Sequence, residues 1–388
     1  MSQFLLLFLL APILAMADIN ALYLSWYEDP TTTITIQWHT DSEESEEPDD
    51  EIHLQLPDGE WVFFTGSSQP FIHEYLLIHT LKLQDLEPDT LYHFKVGKEL
   101  KIYSFRTAPQ TLDKPLRFIV GGDLYISPEL FRMMNRMIVK QDPLFAVLGG
   151  DLAYAIRNPF RFRCTASSKW RSFLTDWTRQ MVTPEGRLIP FLIVAGNHDI
   201  ARGDPADLFF SLFAFPERTL YRSMDFGNYL SLILLDTGYI TPIEGTQTRW
   251  LEKTLQDHEN IPFCFPVYHE GAYPSFYPYN NQTAKKVRTN WCTLFNKYGV
   301  RAAFEHHSHT YKRTYPLKAG KIDPTGTIYL GDGCWGVPPR TTNDLWYLEK
   351  RGSSNHVYLL EMNRNSCSVK ALGLKGEILD EFSIPARD

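Results

Sequence analysis

Five times along this chain, an apolar run of strand-forming residues stops abruptly at a side chain able to bind a metal ion. Phe118 to Gly122 runs into Asp123, and Phe145 to Gly150 runs into Asp151, with Tyr154 close behind. Phe191 to Gly196 runs into Asn197 and His198, and Phe263 to Tyr268 runs into His269. Ala302 to His306 runs into His307 and His309. Short apolar runs bounded by Gly or polar residues read as buried strands. In open α/β sheets the ligand site lies beyond the carboxyl ends of the strands. Strands laid side by side would therefore bring carboxylate, phenol, amide and imidazole groups to one edge, however far apart they stand in the chain. Gly150 and Gly196, just ahead of Asp151 and Asn197, suit turns in which backbone approaches an ion. Such a donor set suits two metal ions, and two ions in a polar cleft point to phosphoester hydrolysis.

Length and composition narrow the reading. A chain of 388 residues exceeds one ordinary domain, so two are expected. Hydrophobic residues make up 44% and aromatic residues 14% of the chain, enough for a sizeable core. A net charge of −8 argues against a surface that coats nucleic acid. It does not argue against a small anionic substrate, because bound cations reverse the local field. The five cysteines, Cys164, Cys264, Cys292, Cys334 and Cys367, are scattered and form no CxxC pair. That excludes a zinc–thiolate site and allows at most two disulfides. Phe4 to Leu14 is apolar but short for a bilayer span, and Ala15-Met16-Ala17 offers a small-residue cleavage site before Asp18. Residues 1–17 therefore read as an export signal; the alternative, an uncleaved anchor, rests on the absence of Lys and Arg ahead of the apolar run. No other stretch reads as membrane-spanning, so a soluble secreted or periplasmic protein is expected.

Residues 18–108 carry about seven strand-like runs in about ninety residues, which suggests a β-sandwich. Thr33 to Trp38 alternates at period two, and Tyr92–Val96 and Tyr103–Thr107 are further strands. The acidic run Asp41 to Glu51 reads as a solvated loop. Ala108 to Thr111 reads as a linker. Residues 113–388 then alternate strands with helices at Pro128–Val139, Lys169–Met181 and Gln247–Leu255, the last with Trp250 and Leu251 on its apolar face. That pattern implies an α/β core. Strands return at Thr327–Leu330, His356–Leu360 and Cys367–Gly373. The sequon Asn281-Gln282-Thr283 would matter only in a eukaryotic secretory pathway.

Gly122-Asp123, Gly150-Asp151-x-x-Tyr154, Gly196-Asn197-His198-Asp199, His269 and His307-x-His309 together resemble the signature of the purple acid phosphatases, calcineurin-like metallophosphoesterases. Leu86 to Tyr92, with Trp38 as core tryptophan, resembles the fibronectin type III pattern of that family's N-terminal domain. The resemblance implies two mixed β-sheets flanked by helices, preceded by a small all-β sandwich. It implies that Asp151 bridges both ions. Asp123, Tyr154 and His309 would complete an Fe(III) site, and Asn197, His269 and His307 a site for Zn, Mn or Fe(II). Oxygen-rich donors and a phenolate suit a hard trivalent ion, while imidazole and amide suit the divalent one. It further implies a hydroxide nucleophile activated by the ions, with His198 contacting phosphate or protonating the leaving group. His39, His53, His73, His79, His93, His258 and His356 lie outside the motifs and read as structural.

Three positions depart from the family pattern. Tyr125 stands where a Gly is usual, and as a phenol it could either compete with Tyr154 as ligand or line the cleft. His306 replaces the Gly before the paired histidines, which would narrow the cleft or add a phosphate contact. Lys312 replaces a Glu, although Tyr311 and Arg313 remain. The expected activity is hydrolysis of small phosphate monoesters. The alternatives are a phosphodiesterase of the same superfamily and a non-catalytic exported metal-binding or adhesion module.

Overall fold

The apolar runs are strands, and their order explains why distant motifs meet. The computed structural model describes residues 19–41, 49–71, 75–156 and 166–387. The export signal, His73, Cys164 and most of the acidic run lie outside these residues. In one sheet, Leu116–Gly121, Phe145–Leu148 and Phe191–Ile193 run parallel and adjacent. In a second sheet, Leu230–Leu234, Phe263–Glu270, Ala302–His306 and Ile328–Gly331 do the same. Antiparallel strands extend both: Val357–Met362, Ser366–Leu372 and Ile378–Pro385 on the first, Arg222–Phe226, Tyr311–Thr314 and Leu348–Gly352 on the second. Both sheets are therefore mixed, as expected.

The sheets pack face to face over aromatic residues. Phe145 stacks between Phe118 at 4.8 Å and Phe226 at 4.7 Å, and Phe265 and Phe304 fill the same layer. Helices cover the outer faces. Pro128–Ile138 begins at Ser127, whose hydroxyl accepts the Leu130 N–H, with Pro128 opening the first turn and Glu129 in it. That helix and Ala166–Gln180 bury Phe131, Phe173, Trp170 and Trp177 against the first sheet. Thr248–Asp257 buries Leu251 and Leu255 against the second, while Trp250 is half-buried beside Tyr221.

The N-terminal β-sandwich is present, and it is fused to this core. Its four-stranded sheet comprises Trp61–Thr65, Glu51–Gln55, Leu91–Val96 and Tyr103–Arg106. Its other sheet comprises Ala21–Ser25, Ile34–Asp41, Leu76–Leu83 and Ser67–Pro70, and it continues the first sheet of the core where Ser25 pairs with Phe191. Trp38 is buried and stacks on His79 at 4.8 Å. Trp26, at the sandwich's end, packs edge-on against Phe145 and Phe226 of the neighbouring core. The expected linker is packed rather than loose: the Ala108 N–H donates to Pro30, and the Tyr229 hydroxyl donates to the Pro109 carbonyl. Cys264, Cys292, Cys334 and Cys367 are buried free thiols, so the described residues contain no disulfide.

Candidate metal centre

Every one of the five strand ends delivers its polar residue to one place, between the carboxyl edges of the two sheets. Asp123, Asp151 and His309 have ligand atoms within 4.8 Å of one another, and so do Asp151, His269 and His307. The two groups share Asp151. Tyr154 joins the first: its hydroxyl donates to Asp123 Oδ1 at 3.0 Å and lies 3.0 Å from His309 Nε2. Asn197 joins the second, its Oδ1 lying 3.3 Å from His269 Nε2. All seven residues expected as ligands thus lie in these two groups.

Backbone strain marks the same residues. Asp123, Asp151, Tyr154, His307 and His309 all adopt positive φ, between 51° and 81°. For side-chain-bearing residues this region costs of order 1–3 kcal/mol each and persists only where the surroundings impose it. His307 and His309 therefore do not lie on an extended strand end. They sit on a tight loop past Ala302–His306 that turns His307 toward one group and His309 toward the other.

Hydrogen bonds fix how each donor is presented. His269 Nδ1 lies 2.8 Å from the Gly149 carbonyl, so Nδ1 carries the proton and Nε2 faces the centre. Asp123 Oδ2 accepts the His307 N–H, and Asp151 Oδ1 accepts the His198 N–H. Asp151 Oδ2 is buried with no hydrogen-bond partner among the described residues. A buried carboxylate oxygen in that condition fits a cation. Burial opposes a charge on His269, yet the Asp151 and Asp123 carboxylates raise its imidazole to about 10. Positive charge is favoured here, which is what a metal ion supplies. Burial, with Asp123 and Asp151 alongside, holds the Tyr154 phenol well above its ordinary range. Burial lowers His307, and the nearby His269 and Arg340 push the same way. The donors fit the implied pair of ions: carboxylate, phenol and imidazole in one group, carboxylate, amide and imidazoles in the other.

Glycines make the close packing possible. A Cβ on Gly196 would fall 2.2 Å from Asp151 Oδ1, and one on Gly333 would fall 1.8 Å from Asp123 Oδ2. His198 is half-buried, its ring 4.8 Å from that of Tyr154 and its Nδ1 2.7 Å from the Ile156 carbonyl. Its Nε2 therefore remains available for a proton. A cleft of about 310 Å³ opens beside His307, lined by Glu270, Pro274, Tyr277 and Thr283.

Two expectations for the unusual residues fail. Tyr125 neither binds the centre nor lines the cleft. Its hydroxyl donates to Asp176 Oδ2 at 2.5 Å, and its ring packs on Phe131 and Phe173. His306 adds no phosphate contact and does not narrow the cleft: it is buried beneath the site, over Gly122 and Gly149. Lys312 is fully buried, with its ammonium 2.5 Å from Glu305 and 3.4 Å from Asp332. Sequence reasoning missed the cleft wall, where Tyr277 stacks on His307 at 4.6 Å and bonds to Arg340. The tyrosine-rich run after His269 was its only sequence signal.

Comparison with known proteins agrees with this geometry. Residues 19–107 match the purple acid phosphatase N-terminal domain, and residues 116–319 match the calcineurin-like phosphoesterases. The chain belongs to the calcineurin-like phosphoesterases. Ahead of that domain, residues 19–107 give it the domain order of the purple acid phosphatases, to which it is similar. It is 28% identical to purple acid phosphatase 21 of Arabidopsis thaliana over 281 residues, 66% of this chain and 58% of that protein. It spans less than two thirds of the length of the curated plant relatives it matches. Among solved structures, a purple acid phosphatase from yellow lupin seeds superposes with a TM-score of 0.78 at 17% identity, over 94% of this chain and 74% of that one. PhoD superposes with a TM-score of 0.63 at 11% identity, over 94% and 88%. At these identities the superpositions establish the fold.

Proposed function

We propose that this protein is an exported metal-dependent phosphatase that hydrolyses small phosphate monoesters at a centre of two metal ions. The observation that carries the reading is the pair of donor groups sharing Asp151, whose second carboxylate oxygen has no partner within the described chain. Asp123, Tyr154, His309 and Asp151 would hold Fe(III). Asn197, His269, His307 and Asp151 would hold Zn, Mn or Fe(II). Bound there, the ions supply Lewis acidity toward phosphate oxygens and an activated nucleophile.

The chain's own groups do the rest. Asp123 and Asp151 are pinned by backbone N–H groups from the loops that also carry His307 and His198. His269 is turned by Gly149 so that only Nε2 faces inward. His198, seated over Tyr154, delivers a proton from Nε2 to the departing alkoxide. Export is supported by the apolar start of the sequence. Among the described residues no helix is long and apolar enough to cross a membrane.

The test compares hydrolysis of a mono-aryl and a bis-aryl phosphate by metal-loaded protein at acidic to neutral pH. Preferential turnover of the monoester, with kcat reduced at least about a hundredfold in His198→Ala, is the expected outcome. Preference for the diester would move the protein to the phosphodiesterases. Tight metal binding with no turnover of either would leave a non-catalytic module.

A further inference from the structure

We infer that Arg340 is the substrate-binding cation of this site and sets its preference for a phosphate dianion; the inference rests on the phosphatase reading above. Two independent anchors hold Arg340 at the rim of the metal centre. Its backbone N–H donates to the carbonyl of His309 at 2.7 Å. Its guanidinium donates to the Tyr277 hydroxyl at 2.8 Å. The Tyr277 ring in turn lies nearly parallel to His307, 4.6 Å away, and forms a wall of the cleft. The guanidinium also lies 5.0 Å from the ring centre of Phe276 and 5.5 Å from that of Tyr277. Arg340 is thus tied to both inner loops that carry candidate ligands, through main chain on one side and side chain on the other.

What it lacks is a carboxylate. Among the described residues, Arg202, which bonds to the cleft-lining Thr283, is paired with Glu270 at 2.5 Å, whereas no acidic side chain pairs with Arg340. Its remaining guanidinium N–H groups have no protein acceptor among those residues, and none is buried without a partner. An arginine held in place by aromatic rings and one hydroxyl, with its other donors open to solvent beside a phosphate-directed centre, is prepared to meet an oxyanion. A phosphate monoester near neutral pH carries two charges and three non-bridging oxygens, and a diester carries one charge and two. A cation beside two metal ions therefore favours the monoester.

The experiment uses the full metal-loaded chain and inorganic phosphate as the probe. Phosphate affinity is measured by calorimetry in wild type, Arg340→Gln, Arg340→Lys and Tyr277→Phe, with metal content checked in each. Arg340→Gln is expected to weaken phosphate binding by about tenfold or more, with Arg340→Lys recovering part of the loss. Tyr277→Phe, which keeps the ring on His307 and frees the guanidinium, should lose affinity by a smaller factor. With aryl esters, Arg340→Gln should raise KM for the monoester about tenfold and leave kcat close to wild type, while the diester changes little. Unchanged phosphate affinity in Arg340→Gln at full metal content would overturn the inference. Failure of the phosphatase reading would appear separately, as wild-type protein that binds phosphate but turns over no ester.

Discussion

His306 shows how a single residue adapts this site. Both of its ring nitrogens are buried without a partner among the described residues, and its ring occupies the space above two glycines. A Cβ on Gly149 would fall 1.9 Å from the ring, and one on Gly122 would fall 2.7 Å from it. Gly149→Ala should therefore destabilise the protein by about 3 kcal/mol, and by far less in a His306→Gly background. A denaturant series on both singles and the double checks this; additive losses would refute the steric account. The sequence shows His306 as a departure but gives no sign of where its ring goes. That depends on the glycines of two other strands, and no local pattern encodes such a contact. Tyr125 makes the same point, since its partner Asp176 lies 51 residues away. The gathering of the seven candidate ligands was legible because each follows an apolar run, and a strand end fixes position by itself.

At the scale of elements, the strands Ala302–His306 and Tyr311–Thr314 flank the loop that bears His307 and His309, and a buried ion cluster joins them. Glu305 accepts the Tyr268 hydroxyl, the Ala272 N–H and the Lys312 ammonium, and Lys312 also donates to the Tyr273 carbonyl. The cluster thereby fixes the Gly271–Ser275 turn on the way to the cleft wall. Removing one member leaves buried charge uncompensated, which typically costs about 3–5 kcal/mol. Lys312→Met is expected to fall in that range, and Lys312→Met with Glu305→Gln to recover part of it. A Lys312→Met loss under 1 kcal/mol would show that the cluster does not hold the loop. The element types could be read from periodicity, and the helices at Pro128 and Thr248 lie where their patterns put them. The lysine's role was hidden, because its partners come from three separate segments.

The described residues form one packed body in which the N-terminal sandwich shares a sheet and a core with the calcineurin-like domain. Composition marks a change of pattern near residue 110, but the shared sheet follows from the Ser25–Phe191 pairing, which no single segment announces. This interior contains neutral histidines whose titration reaches the global stability. Burial lowers His39 from 6.5 to about 3 and His356 from 6.5 to about 4. His39 Nε2 meets the Tyr23 hydroxyl, and its Nδ1 has no acceptor among the described residues for a second proton. The unfolded chain binds protons at 6.5 and the folded chain only below about 4, so stability is lost as pH falls through that window. Urea midpoints should drop between pH 7 and 4.5, and the drop should be shallower in His39→Gln. Equal slopes in the two proteins would contradict this.

The centre itself is tested most directly by counting metal ions in purified protein and recording its visible spectrum. The expected result is one ion for each of the two donor groups, iron among them, with a visible band that disappears in Tyr154→Phe. Asp151→Asn, which alters the shared carboxylate, should lose both ions. A chain that binds one ion or none, or an Asp151→Asn variant that keeps both, would contradict the two-metal centre.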